Sequence, residues 1–189
     1  SEKKLGQRGS PISDVIFENV RVPVANVIGG EAALGQGFRI AMQVLDHGRI
    51  SVAASGLGMA RRLIDEAARY AVQRKQFGQP ISEFQLIQAM LADSETEYLA
   101  GHALVMQAGQ ALARGEDVRN QAAAAKYFCS EALSRIADRA LQIHGGSGYV
   151  ADHHVERLYR DARALRIYEG TSQVLQLVIA RTMLKRYQD

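Results

Sequence analysis

Tyr168-Glu169-Gly170-Thr171-Ser172-Gln173 sets a lone carboxylate, Glu169, before a glycine and two hydroxyl residues able to cap a helix. Two kinds of work fit such a segment. A carboxylate near a helix start is stabilised by the helix dipole, by ~0.3–1 kcal/mol, and needs no further role. The alternative is proton abstraction from a weakly acidic C–H, which requires a base held close to the proton and donors for the negative charge that develops. From the residues alone, the dipole reading is the stronger.

Three further segments carry recognition chemistry. Leu45-Asp46-His47-Gly48-Arg49 puts an acid and a guanidinium at i,i+3, the spacing of an ordinary helix-surface ion pair. Arg74-Lys75-Gln76-Phe77-Gly78 reads as a basic helix C-terminus with a buried Phe, although an Arg there also offers the planar donors a diphosphate takes. Gln142-Ile143-His144-Gly145-Gly146-Ser147-Gly148-Tyr149 lacks the G-x-G-x-x-G spacing and preceding strand of a dinucleotide fingerprint, and no P-loop Lys follows. Its glycines stop a helix, let backbone pass close to a ligand, or both. His153-His154 is expected in solvent, with no metal, because adjacent histidines diverge on a helix and no ligand cluster frames them. Arg157, Arg160, Arg163 and Arg166 are interleaved with Glu156 and Asp161, which points to a salt-bridged face and not to nucleic acid.

Helices must hold these segments. Phe38, Ala41, Leu45, Val52, Leu63 and Ala67 follow a helical period, predicting a first helix over about 35–73 that stops near Phe77-Gly78-Gln79-Pro80. Gly48, Gly56 and Gly58 are positions where neighbours could approach closely. Ser82 with Gln85 reads as a capping box for a second helix running to Gly115. Asp117 caps a third, closed by Gly145-Gly146. A short helical piece over His154–Arg163 and a last helix from Gly170 to about Arg186 complete an all-α, antiparallel four-helix bundle over 34–189. Residues 1–33 differ: ISDVIFENVRVPVANVIGG is β-branched, alternating and broken by Pro and Gly-Gly, so strand-and-turn structure is expected, as a remnant of a β domain and linker.

The 189 residues suffice for one domain with a real core, at 47% hydrophobic and 23% charged content. A net charge of +3 without a basic run argues against nucleic acid. No stretch approaches a membrane span. The single Cys129 lies in an apolar run and is expected to be a buried structural thiol. The opening SEKKLGQRGS has no signal-peptide core and reads like the interior of a longer protein.

In this order, the Y-E-G-T-S-Q, L-D-x-x-R, R-x-x-F-G and Q-x-x-G-G-x-G-[FY] segments, with VERLYRDAR, resemble the C-terminal domain of the flavin-dependent acyl-CoA dehydrogenase family, along essentially the whole chain. The resemblance implies that Glu169 removes the α-proton of an acyl-CoA thioester while the β-hydrogen passes as hydride to FAD, giving trans-2-enoyl-CoA. In some subfamilies the base stands on the first helix instead; here that position is Gly48, which cannot take a proton. By the same match Asp46, Arg49, Tyr168 and Gly170 are expected at the substrate. Arg74, Phe77, Gln142, Gly145 and Gly146 are expected on the FAD of a neighbouring subunit, and Thr171 and Gln173 on the near flavin. The resemblance further implies fatty acid metabolism, a homo-oligomer (dimer or tetramer, with homotetramer the fuller form), and an electron-transfer flavoprotein as acceptor. The setting is bacterial cytoplasm or mitochondrial matrix. The 189 residues alone are expected to be inactive. Acyl-CoA oxidases and other same-fold flavoenzymes remain rivals, as does a non-catalytic helical assembly module.

Overall fold

The computed structural model describes residues 2–188, and helices dominate it. Residues 2–36 run as an extended lead-in with 3-10 turns at Val24–Asn26 and Glu31–Ala33. The expected strands do not form there. A strand needs a ladder partner, and Val15, Phe17 and Val20 are exposed instead. The lead-in is tied to the bundle where Gln7 donates from its backbone and side chain to Asp161 and Arg160 donates to the Leu5 carbonyl.

Helix α1 spans Gly37–Gln73. It starts two residues later than the periodicity suggests because Gly35 takes φ +79, which a right-handed helix excludes. Its inner face is Ala53, Leu57, Ala60, Ile64, Ala67 and Ala71, at alternating four- and three-residue steps, with Leu63 buried beside them. Beyond it lies a feature the sequence reading missed. Strands β1 (Lys75–Gln76) and β2 (Gln79–Pro80) form a minimal antiparallel hairpin, turning on Phe77 and Gly78, both at positive φ.

Helix α2 spans Gln85–Ala113. The expected capping box is absent: Ser82 lies in a 3-10 turn over Ile81–Glu83, and extended Phe84 separates it from the helix. Buried Ile81 anchors that turn against the core, so the helix can begin only after it. Helix α3 spans Arg119–His144, and Asp117 accepts a hydrogen bond from the Arg119 N–H at 3.0 Å, close to its expected capping role. Helices α4 (His154–Ala162) and α5 (Ser172–Leu184) follow.

Cross-helix contacts establish the direction of each helix. Arg61 of α1 pairs with Glu95 of α2, while Ile50 and Ala53 share a cluster with Ala108 and Ala111, so α1 and α2 are antiparallel. Glu97 of α2 meets Arg135 and Arg139 of α3, and Gly101 meets Cys129. Ser172 and Gln176 of α5 reach back to Glu131 and Tyr127. The bundle is therefore up-down-up-down, with α3 at its centre, packed against the other four helices. At Gly101 a Cβ would sit 2.9 Å from Leu57 and 3.1 Å from the Cys129 sulfur, so α2 approaches this closely only through glycine. Gly58, by contrast, faces open space. Cys129 is buried as expected, and burial pushes its thiol up to about 12. Among the described residues no helix is long and apolar enough to cross a membrane.

Candidate active site

Between the 3-10 turn Arg163–Arg166 and α5 the chain reverses at Glu169 (φ +56) and Gly170 (φ +94). Glycine adopts that geometry freely; for glutamate it costs about 1–2 kcal/mol. Something must hold it. Leu165 and Leu175 are buried on either side of the turn. The Arg49 Nε of α1 donates to the Glu169 carbonyl at 3.2 Å, and the Lys126 Nζ of α3 donates to the Gly170 carbonyl at 2.6 Å. Ser172 donates to Glu131 at 2.6 Å, and the same carboxylate receives Arg166 at 2.8 Å.

This geometry bears directly on the two readings of Glu169. The cap of α5 is Thr171, whose hydroxyl accepts from the Val174 N–H. The Glu169 carboxylate makes no such bond. Its Oε2 is sealed from solvent and has no hydrogen-bond partner among the described residues. It lies over Gly48, where an added Cβ would be 2.9 Å from Oε2 and 3.2 Å from Oε1. The side chains of positions 48 and 169 thus converge on one spot. A dipole or capping role leaves this carboxylate unexplained.

Asp46 and Arg49 are bonded at 2.7 Å, but not as a surface pair: Arg49 is only 7% exposed and its Nε faces the Glu169 turn. Asp46 also lies 3.7 Å from Arg119. Tyr168 is partly exposed, and its hydroxyl accepts from the Gln7 side chain at 3.4 Å. Thr171, the cap of α5, and Gln173, in its first turn, stand at the same end.

Lys126 and Glu131 were missed in the sequence, though a signal existed: Lys126 is the one charge in AAAAKYFC, on the buried face of an alanine-rich helix. Burial lowers its ammonium to about 8, with the Arg49 charge pushing the same way and Glu169 and Glu131 opposing. Burial works to raise Glu131, but bonds from Ser172 and Arg166 and the charges of Arg166 and Arg135 outweigh it, leaving the carboxyl below its usual range.

The remaining candidates gather elsewhere. A cleft of about 530 Å³ is lined by Arg74, Gly145, Gly146, Ser147, Tyr70 and His144. Arg74 lies twenty-six positions beyond Gly48, just past the end of α1, a helical rise of about 40 Å. Arg74 is exposed and forms no ion pair among the described residues; Gln142 is exposed as well. Gly145 and Gly146 have open space where a side chain would be. Phe77 is not buried, as the sequence had implied, but 92% exposed, because the β1–β2 turn points it outward, edge-on to Phe84. His153 corrects another expectation. It is half-buried, packed edge-on against Tyr70 and His144, which stack on each other at 4.4 Å. His154 is exposed, and no metal-binding cluster occurs among the described residues. The arginine series is salt-bridged through Arg160–Glu156 and Arg166–Glu131.

Comparison with known proteins agrees with this fold. Residues 35–184 match the family model described as acyl-CoA dehydrogenase, C-terminal domain. The chain belongs to the acyl-CoA dehydrogenase family, whose members are flavin-dependent oxidoreductases acting on acyl-CoA. It is 50% identical to the 3-(aryl)acrylate reductase of Clostridium sporogenes, over 97% of this chain and 48% of that protein. It is 44% identical to the caffeyl-CoA reductase-Etf complex subunit CarC of Acetobacterium woodii, over 98% and 48%. The butyryl-CoA dehydrogenase structure from Megasphaera elsdenii superposes with a TM-score of 0.93 at 40% identity, covering 97% of this chain and 47% of that one. The chain spans about half the length of the relatives it matches.

Proposed function

We propose that these residues form the C-terminal half of an enzyme that interconverts an acyl-CoA thioester and its trans-2-enoyl-CoA, with Glu169 as the base that takes the α-proton. The observation that carries this reading is the Glu169 carboxylate, whose Oε2 is sealed and without a hydrogen-bond partner among the described residues, on a strained turn. Bound FAD supplies the acceptor for the β-hydrogen, leaving as hydride. Glu169 receives the α-proton on a carboxylate oxygen that no other group occupies. Its backbone N–H, held by the turn, is available to the thioester oxygen as negative charge develops there. Asp46, Arg49, Tyr168 and Gly170 border the acyl thioester.

The features of the distal cleft fit a dinucleotide. Arg74 is a free bidentate donor for a diphosphate, Gly145 and Gly146 leave room for close approach, and Phe77 offers a ring face to adenine. Thr171 and Gln173 would meet the flavin end. Arg74 lies a helical rise of about 40 Å from Gly48, which supports two copies sharing each cofactor and hence a homo-oligomer. The Etf complex in the name of a 44%-identical relative supports an electron-transfer flavoprotein as redox partner. The bacterial sources of the relatives support a cytoplasmic setting.

A second reading concerns direction. Two of the relatives carry the names of reductases, which supports reduction of the enoyl thioester, with protonated Glu169 returning the α-proton. The test is anaerobic flavin bleaching of the full-length enzyme with a panel of acyl-CoAs, and reoxidation of the reduced flavin by the enoyl-CoAs, beside Glu169→Gln. Bleaching abolished by the substitution supports the base; a Glu169→Gln variant that bleaches like wild type sinks it. Rapid reoxidation by oxygen would move the assignment to an oxidase.

A further inference from the structure

We propose that Lys126 is a positioning residue for the base: its ammonium grips the Gly170 carbonyl from α3 while Arg49 grips the Glu169 carbonyl from α1, and the two cations hold the strained Glu169–Gly170 reversal in working geometry. The proposal rests on the reading of Glu169 as the base.

Lys126 is completely buried, on a helix whose Ala122, Ala123, Ala125, Cys129 and Ser130 are buried as well. Burying an ammonium is costly, and such charges are normally matched by a carboxylate in contact. Lys126 has none within ion-pair distance among the described residues; its bond is to the carbonyl of the residue after the base, at 2.6 Å. The charged groups that face it are Arg49 from α1, Glu169 from the turn and Glu131 from α3 itself.

The grip falls where the backbone needs it. With Glu169 at φ +56 and Gly170 at φ +94, the turn presents its two carbonyls to Arg49 and Lys126. A buried carbonyl left unpaired would favour another turn conformation, and the Glu169 carboxylate would then leave its place over Gly48. A charge-assisted bond is stronger than a neutral one, which explains a lysine here in place of a serine or a water. Glu131, five residues along the same helix, holds Ser172 just past the turn, so one face of α3 supports both Gly170 and Ser172. The lowered value of Lys126 leaves the ammonium charged at neutral pH and sensitive to alkali.

The experiment uses the full-length holoenzyme with Lys126→Met, Lys126→Gln and Glu169→Gln, measuring FAD content, acyl-CoA affinity and flavin-reduction rate across pH. Lys126→Met removes the donor and the charge at nearly constant shape. It is expected to keep its FAD and to bind acyl-CoA within about threefold of wild type. Flavin reduction should slow by roughly tenfold or more, since small misplacements of a reacting group cost rate steeply. Lys126→Gln, with a neutral donor, should recover part of the loss, and the alkaline limb that wild type owes to Lys126 should vanish in both. Reduction within twofold of wild type in Lys126→Met, with Glu169→Gln inactive, overturns the positioning role alone. An active Glu169→Gln overturns the base reading and this proposal with it. Loss of FAD or folded protein in both lysine variants makes the role purely structural and also overturns it.

Discussion

Gly48→Ala should move stability and turnover in opposite directions. Gly48 lies in the interior of α1, where alanine is favoured over glycine by about 0.8–1.0 kcal/mol. The atoms nearest the new Cβ all belong to the Glu169 carboxyl group, at 2.9 Å for Oε2, 3.2 Å for Oε1 and 3.3 Å for its carbon. Ordinary contact begins near 3.4 Å, so the carboxylate must withdraw by about half an ångström. It sits at the end of a flexible side chain, and that adjustment costs a few tenths of a kcal/mol, on the order of a small rotamer distortion. The net change is a gain of about 0.5 kcal/mol, a rise of 1–2 °C in the melting of this domain by the usual ~2–4 °C per kcal/mol.

Catalysis should suffer from the same half ångström. A displacement of about 1 Å at a reacting group costs up to ~100-fold, so roughly tenfold is expected here. The assay pairs a thermal melt of the full-length enzyme with stopped-flow flavin reduction at saturating acyl-CoA. A melting temperature that falls by several degrees while the reduction rate holds would refute the reasoning, because the space above Gly48 would then be filled by packing and not by the base.

Two further outcomes follow from the structure. Phe77→Ala removes a ring that is 92% exposed, so stability should stay within about 0.5 kcal/mol, while FAD retention on gel filtration should fall if the ring packs on the cofactor; unchanged retention removes Phe77 from that site. The Lys126 ammonium titrates near 8 in the fold against an ordinary value of 10.5. The folded state therefore sheds this proton first, and the penalty of the buried charge is fully present below pH 8 and disappears towards pH 10.5. In urea unfolding wild type should gain stability relative to Lys126→Met as pH rises from about 7 to about 9.5; a difference that is constant with pH would contradict the burial of the charge.

The helices were legible because each buries one face of a long, regular stripe. Leu63, Ala67 and Ile136 follow the period, and the structure finds them in the core. Departures came where a neighbour decides the local conformation. The alternating run around Val15, Phe17 and Val20 has the character of a strand but no partner strand among the described residues. Ser82 has the right residue three positions on, but Ile81 is drawn into the core and the helix starts late. Phe77 looked like core filling until a two-residue turn pointed it into solvent, and His153 looked like surface until Tyr70 and His144 took it in.

By itself the sequence determined the class of fold, the ends of most helices, and the residue types able to do chemistry, since period and composition are local properties of the chain. The preference for Glu169 over position 48 as the base came from the resemblance to the family, since the glycine at 48 cannot hold a proton. The tertiary structure alone decided that Glu169 hangs over Gly48 without a partner, that Arg49 and Lys126 converge on its turn from two helices, and that Arg74 and Glu169 lie at opposite ends of the bundle. Those are relations between residues far apart in the chain, brought about when several helices pack on α3, and no local pattern encodes the angle at which they meet.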